Sequence, residues 1–262
     1  MGKITDALKK AAEERLSRID KLDEKLETTY QFVAQKTVDA KYDPRIVSFY
    51  DPHSTVAEQY RTLRTNIQAI NSEKPIKAIT ITSSIHSEGK SVTSINLAVS
   101  MAHDLNKKRI LLVDADLRRG KTSKYIGIKS EAGLSELISN GVNVDEVVVN
   151  IGIDNLMFLP SGKVPHNPAE LLNSIKFKNL ITTLKEKFDY VIFDSPPIIP
   201  VTDAGLIGAQ TDGVVMVIQA NRTQRGIIKH GEDILRQARV KILGYVLTNV
   251  QYHIPEYIYR YL

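Results

Sequence analysis

"AITITSSIHSEGKSVTSINLA" (residues 78–98) begins as a β-branched apolar run, crosses a short polar loop and continues in residues that suit a helix. The run reads as a buried strand over 78–82, and the pattern after Lys90 reads as a long helix to about residue 105. The loop between them nearly spells the phosphate-binding pattern G-x-x-x-x-G-K-[ST]. Ser84 stands at the first glycine position, while Gly89, Lys90 and Ser91 are in place. The surviving residues have distinct physical uses. Backbone N–H groups of Ser87, Glu88, Gly89, Lys90, Ser91 and Val92, at a helix start, suit phosphate oxygens. Gly89 allows close backbone approach, Lys90 reaches the β- and γ-phosphates, and the Ser91 hydroxyl suits Mg²⁺. Taken alone, the loop also fits an ordinary strand-to-helix turn.

Further along the chain, "RILLVDAD" (109–116), "NLMFLP" (155–160), "DYVIFD" (189–194), "GVVMVIQA" (213–220) and "ILGYVLTN" (242–249) read as strands separated by helical stretches. "AEQYRTLRTNIQAI" (57–70) reads as a helix ahead of them. The expected fold class is α/β: a P-loop NTPase-like, mostly parallel sheet with helices on both faces, preceded by a helical extension. Asp114 and Asp116 lie two apart at a strand end, which places both carboxylates on one side. Strand carboxyl ends are where ligands sit in open α/β sheets, and carboxylates there need a cation. Mg²⁺ is one answer for the pair; an N-cap with a salt bridge to Arg118 or Arg119 is the other. Asp194 ends another apolar strand, as a second carboxylate for a phosphate-bound Mg²⁺ would, or as a helix cap. Together the three elements predict a nucleotide triphosphatase or kinase that uses Mg²⁺.

The chain has 262 residues and no cysteine, so neither a disulfide framework nor a thiolate metal site is available. No apolar run is long enough to span a membrane and the amino terminus lacks the apolar core of a signal peptide, which points to a cytoplasmic location. The net charge of +5 is spread along the chain, so no nucleic-acid partner is expected. Residues 1–28 hold seven acids and seven bases with apolar residues at helical spacing, and read as an amphipathic helix. Residues 29–57, with Pro44 and Pro52, read as a linker. The expected division is 1–57 for helix and linker, 58–250 for the nucleotide-binding domain, and 251–262 for a tail. That tail contains Tyr252, Tyr257, Tyr259 and Tyr261, four of the chain's eleven tyrosines. It suits either packing on its own domain or a partner, or modification. Asn249, at a strand end, is a weak candidate for the base pocket.

"EQYRTLRTNI", "SSIHSEGKS", "LLVDADLRR", "GLSELI" (133–138), "LPSGKVPHNPAELL" (159–172), "FDYVIFDSPP", "TDA" (202–204) and the tyrosine-rich end together resemble the bacterial tyrosine kinases of the polysaccharide co-polymerase system, over roughly residues 50–262. The resemblance implies that Lys90 and Ser91 bind ATP and Mg²⁺, with Ser91, Asp114 and Asp194 at the metal. It implies that Lys90, Asp114, Asp116 and Asp194 form the catalytic set, one of the first two aspartates accepting the tyrosine proton or positioning Mg²⁺. It further implies autophosphorylation of Tyr252, Tyr257, Tyr259 and Tyr261 in a ring-type homo-oligomer joined through Glu58, Arg61 and Arg64. A separate membrane-embedded activator chain and a role in exopolysaccharide production and export complete the expectation, with the chain peripheral at the membrane through that partner. His86 and Ser87 stand where the family tends to have Pro-Gly. Partition ATPases of the ParA/MinD type share the sheet, loop and carboxylate strands, but carry a signature lysine at the position of Ile85. A nucleotide-binding regulator with little turnover is the remaining alternative.

Overall fold

The computed structural model describes residues 38–70 and 75–251. The amphipathic segment 1–28 and the tyrosines 252–261 lie outside the described residues. Along the chain run α1 (Val47–Tyr50), α2 (Thr55–Ala69), β1 (Ala78–Ser83), α3 (Lys90–Ala102), β2 (Ile110–Asp114), α4 (Thr122–Ile126), α5 (Leu134–Asn140), α6 (Val144–Val147), β3 (Val149–Asn150) and β4 (Leu156–Leu159). They are followed by α7 (Pro168–Leu172), α8 (Ile175–Lys187), β5 (Tyr190–Asp194), α9 (Asp203–Gly208), β6 (Gly213–Gln219), α10 (Arg225–Gln237) and β7 (Ile242–Thr248). Among these, no helix is long and apolar enough to cross a membrane.

The strands form one seven-stranded sheet in the order β3-β4-β2-β5-β1-β6-β7. Every pairing is parallel except β3 with β4, a two-residue antiparallel edge that the sequence pattern did not reveal. The chain winds outward from β1 through β2 to the edge strand β3, turns back along β4, inserts β5 between β2 and β1, then continues to the other side. Its direction therefore reverses at β1, and a crevice opens there at the carboxyl ends of the strands. All residues of β1, β2 and β5 are buried, as expected of parallel strands covered on both faces. In β6 the period of two is visible: Val215 and Val217 pack in the core beneath α3, whereas Val214 and Met216 pack with Ala204 of α9 and Leu235 of α10.

α3 is the central helix, with eleven of its thirteen residues buried. Its position fixes the phosphate loop, because its first residue is Lys90. The segment 38–57, expected as linker, is instead packed onto the domain. Tyr42 and Ile46 are core residues, the Tyr42 hydroxyl donates to the Ile151 carbonyl at 2.7 Å, and Val38 N–H donates to Asn150 O at 3.0 Å. Asn96 of α3 completes the attachment: its amide donates to Arg45 O at 3.1 Å and accepts from Ser48 N–H at 2.9 Å. Val38, Ala40 and Tyr42 alternate with Asp39, Lys41 and Asp43, but the alternation is short and runs into Pro44, so it does not stand out as an element. α2 begins at Thr55, capped by the Ser54 hydroxyl, which accepts from Ala57 N–H at 3.2 Å.

Candidate active site

The loop from Ser84 to Gly89 is held in shape by groups pointing away from any ligand. Glu88, grouped at first with the nucleotide-binding residues, turns its carboxylate inward. It is 1% exposed and accepts from Ile85 N–H at 2.9 Å, from Gln219 N–H at 3.3 Å and from the Thr223 hydroxyl. Arg222 donates to the Ser87 carbonyl at 2.9 Å, and the Thr248 hydroxyl donates to the Glu88 carbonyl at 2.7 Å. The loop is thus tied to the residues after β6 and to the end of β7. Gly89 has φ +97°, a left-handed conformation, and a Cβ there would stand 3.3 Å from Thr248 Cγ2. Ser87 also lies in the left-handed region, at φ 65°. A glycine would take that conformation without strain. Ser84, by contrast, has no positive φ, so a serine replaces the first glycine without backbone strain.

Lys90 turns back over the strand ends. Its ammonium lies 3.5 Å from Asp194 Oδ1, 3.7 Å from Asp116 Oδ2 and 3.3 Å from the Ser91 hydroxyl. Burial alone would lower the Lys90 pKa; the Asp194, Asp116 and Asp114 carboxylates outweigh it and hold the ammonium above its ordinary value. Asp114 and Asp194 are register partners across β2 and β5. Asp114 is fully buried, and desolvation, then the Asp194 charge, push its carboxyl up to about 8. Both Asp114 oxygens face backbone amides: Oδ2 accepts from Thr122 N–H at 3.0 Å and Oδ1 from Asp116 N–H at 3.3 Å. Asp114 therefore sits behind the site, and Asp116, just beyond the strand, lines the groove with Lys90 and Ser91. The four expected catalytic groups converge.

Two residues were missed. The Thr122 hydroxyl donates to Asp194 Oδ2 at 2.6 Å, and the Ser94 hydroxyl lies 3.3 Å from Asp194 Oδ1. Both are ordinary helix residues in the sequence, and only the fold brings them to the carboxylate. Arg119 and Lys121 line the same groove as His86 of the loop. Burial, followed by the Arg119 charge, holds the His86 imidazole below its ordinary range. Arg118, considered as a partner for the aspartate pair, instead forms a two-pronged bond to the buried Asp203 at 2.7 and 2.9 Å. The Glu58–Arg61–Arg64 stripe does not present three free charges. Glu58 and Arg61 pair with each other, Arg61 donates to Pro52 O, and Arg64 donates to Ser100 O at 2.7 Å.

A phosphate loop at the switch point of a parallel sheet, with a lysine and strand-end carboxylates beside it, defines a nucleotide-binding P-loop protein. The family model described as AAA domain matches residues 76–239. The chain is 34% identical to tyrosine-protein kinase YwqD of Bacillus subtilis (strain 168), over 82% of its own length and 90% of that protein's. Among solved structures it resembles the chimerical protein CapA2B2, with TM-score 0.75, 30% identity, and 87% and 99% of the two chains covered. It also resembles the kinase domain of Escherichia coli tyrosine kinase ETK, with TM-score 0.74, 27% identity, and 82% and 84% covered. The chain belongs to the bacterial tyrosine kinase family.

Proposed function

We propose that the chain is an ATP- and Mg²⁺-dependent protein-tyrosine autokinase that modifies the 252–262 tyrosine cluster of a neighbouring copy, within exopolysaccharide production and export. One observation carries this reading: the Lys90 ammonium is held between Asp116 and Asp194, beside Ser91, at the mouth of the phosphate loop. The buried Asp116 and Asp194 carboxylates, side by side at the strand ends next to the Ser91 hydroxyl, suit a divalent cation. Ser91 and Asp194 would hold it, with Asp114 behind them, and it would neutralise charge on the β- and γ-phosphates.

The chain's own residues then divide the work. Loop amides and Lys90 hold the β- and γ-phosphates, and Arg119 and Lys121 face the same groove. The tyrosine oxygen attacks the γ-phosphorus, a new O–P bond forms, and the bond to the β–γ bridging oxygen breaks. The electron pair leaves with ADP, and the phenolic proton passes to Asp116. The catalytic contribution is positioning and charge compensation, as in phosphoryl transfer generally. Assembly with further copies through α2, and with a membrane-embedded activator chain, extends the reading from the family.

The purified chain incubated with Mg²⁺ and ATP is expected to gain phosphotyrosine, and Lys90→Met or chelation of the metal is expected to prevent it. Absence of phosphotyrosine in the unaltered chain, given its activator, would sink the proposal. A nucleotide-binding regulator is the second reading, favoured by the strained Ser87; it predicts nucleotide uptake without phosphotyrosine.

A further inference from the structure

A pocket of about 170 Å³, sharing no lining residue with the nucleotide groove, lies where the carboxyl end of α3 meets α1 and α2. Its polar lining is not satisfied within the chain. The Ser48 and Ser100 hydroxyls and the Arg64 Nε–H are buried and have no hydrogen-bond partner. Both serines are only 4% exposed. Such groups cost free energy unless something in the pocket bonds to them. Charge is unanswered too. Arg61, Arg64 and His103 line the pocket, and among the described residues no acid does. Arg61 is paired with Glu58. For Arg64 the one ion-pair partner among the described residues, Asp104 Oδ2, stands 4.0 Å from Nε and already accepts from Gln68 Nε2 at 3.0 Å. The two helix ends at the pocket act in opposite senses. Ala57, in the first turn of α2, brings that helix's positive end, and Ser100 brings the negative end of α3. Arg64 blunts the second by donating from Nη1 to the Ser100 carbonyl at 2.7 Å, which leaves Nε for the pocket.

We infer that this pocket binds a phosphate-sized oxyanion, as free orthophosphate or as the phosphoryl head of a small monoester, with Arg64, Ser48 and Ser100 as its donors. Water fills such a volume and bonds to hydroxyls, but it leaves the guanidinium charge unanswered. A tetrahedral anion offers oxygens in several directions and so suits donors carried on three separate elements. A flat carboxylate leaves part of that set unpaired. Guanidinium also matches phosphate better than an ammonium does. Burial, then the Arg64 charge, hold the His103 imidazole below its ordinary range, so at neutral pH it adds no charge but keeps one N–H for the ligand. The bound anion joins α1, α2 and α3 through one ligand, and so fastens the docked segment 38–57 to the domain. The inference stands apart from the kinase reading, because the two sites have no residue in common.

The test is a titration of the full chain with orthophosphate at constant ionic strength, with Mg²⁺ and ADP in excess to fill the phosphate loop. Calorimetry is expected to show one saturable site, and the thermal midpoint to rise by about 5 to 10 °C at about a hundredfold excess over Kd. Phosphate also stabilises proteins without a site, so the decisive comparison is between variants. Ser48→Ala and Ser100→Ala each remove one unpartnered hydroxyl. Without phosphate both variants are expected to be at least as stable as the unaltered chain. With it, each should bind about tenfold more weakly and lose part of the rise. Arg64→Gln should abolish saturable binding; if that variant fails to fold, the serine variants still decide. Glycerol 3-phosphate separates the two sources. Saturation by the ester assigns the pocket to phosphoryl groups, and saturation by orthophosphate alone assigns it to the free ion. No saturable heat in the unaltered chain, binding that ADP abolishes, or binding that both serine variants leave unchanged would overturn the inference and give the pocket to water.

Discussion

Ser87 and Gly89 adopt the same left-handed backbone in one loop, but only one of them is a glycine. A left-handed serine costs about 1 kcal/mol that a glycine does not. Ser87→Gly is therefore expected to stabilise the chain by about 1 kcal/mol in urea unfolding while nucleotide uptake persists; destabilisation would show that the serine has an unseen use. Lys90 is different because its ammonium answers three carboxylates at once. Its replacement by methionine removes charge-assisted bonds to phosphate and is expected to weaken ATP uptake by about 10²-fold or more in calorimetry. Lys90, Ser91 and the strand-end aspartates were legible from the sequence, because their chemistry depends on local spacing along a strand and a helix start. Thr122 and Ser94 were not, because their contacts with Asp194 span 72 and 100 residues. The inward turn of the Glu88 carboxylate was equally hidden, since its donors at Gln219 and Thr223 lie more than a hundred residues away.

At the scale of elements, six strands were readable from long apolar runs, which buried parallel strands need; β7 carries such a run too, although at the sheet edge none of its residues is buried. β3 has two residues, too few for a period, and the docked segment 38–46 has no regular structure to betray it. The segment carries a stability consequence. A chain beginning at residue 58 loses Tyr42 and Ile46 from the core, and two such losses are expected to cost at least about 4 kcal/mol. Tyr42→Phe in the full chain removes only the bond to Ile151 O and should cost about 1 to 2 kcal/mol. Chemical unfolding of both, beside the full chain, checks the expectation. Equal stability for the shortened chain would mean that 38–57 is a linker after all. The strap of residues 219–223 has its own signature. Thr223→Ala removes one donor to Glu88 and is expected to raise the ATP KM several-fold, about 1 kcal/mol, by loosening the phosphate loop.

For the whole molecule, the proposed contact between copies rests on the charges of α2. Arg64 is committed to the end of its own α3, so the contact between copies would depend on Glu58 and Arg61. These two pair with each other within the helix, which makes single substitutions ambiguous: either one breaks the pair as well as any contact with a neighbour. Exchanging them, Glu58→Arg with Arg61→Glu, keeps an ion pair three residues apart and reverses the charge pattern shown to a neighbour. The cost inside one copy is the bond to Pro52 O, about 1 kcal/mol. The expected outcome is a folded chain of nearly unchanged stability whose mass in solution falls to that of a single copy and whose transfer between copies is lost. Transfer to added tail peptide should persist, because the nucleotide groove is untouched. An oligomer that survives the exchange would place the contact on another face of the molecule.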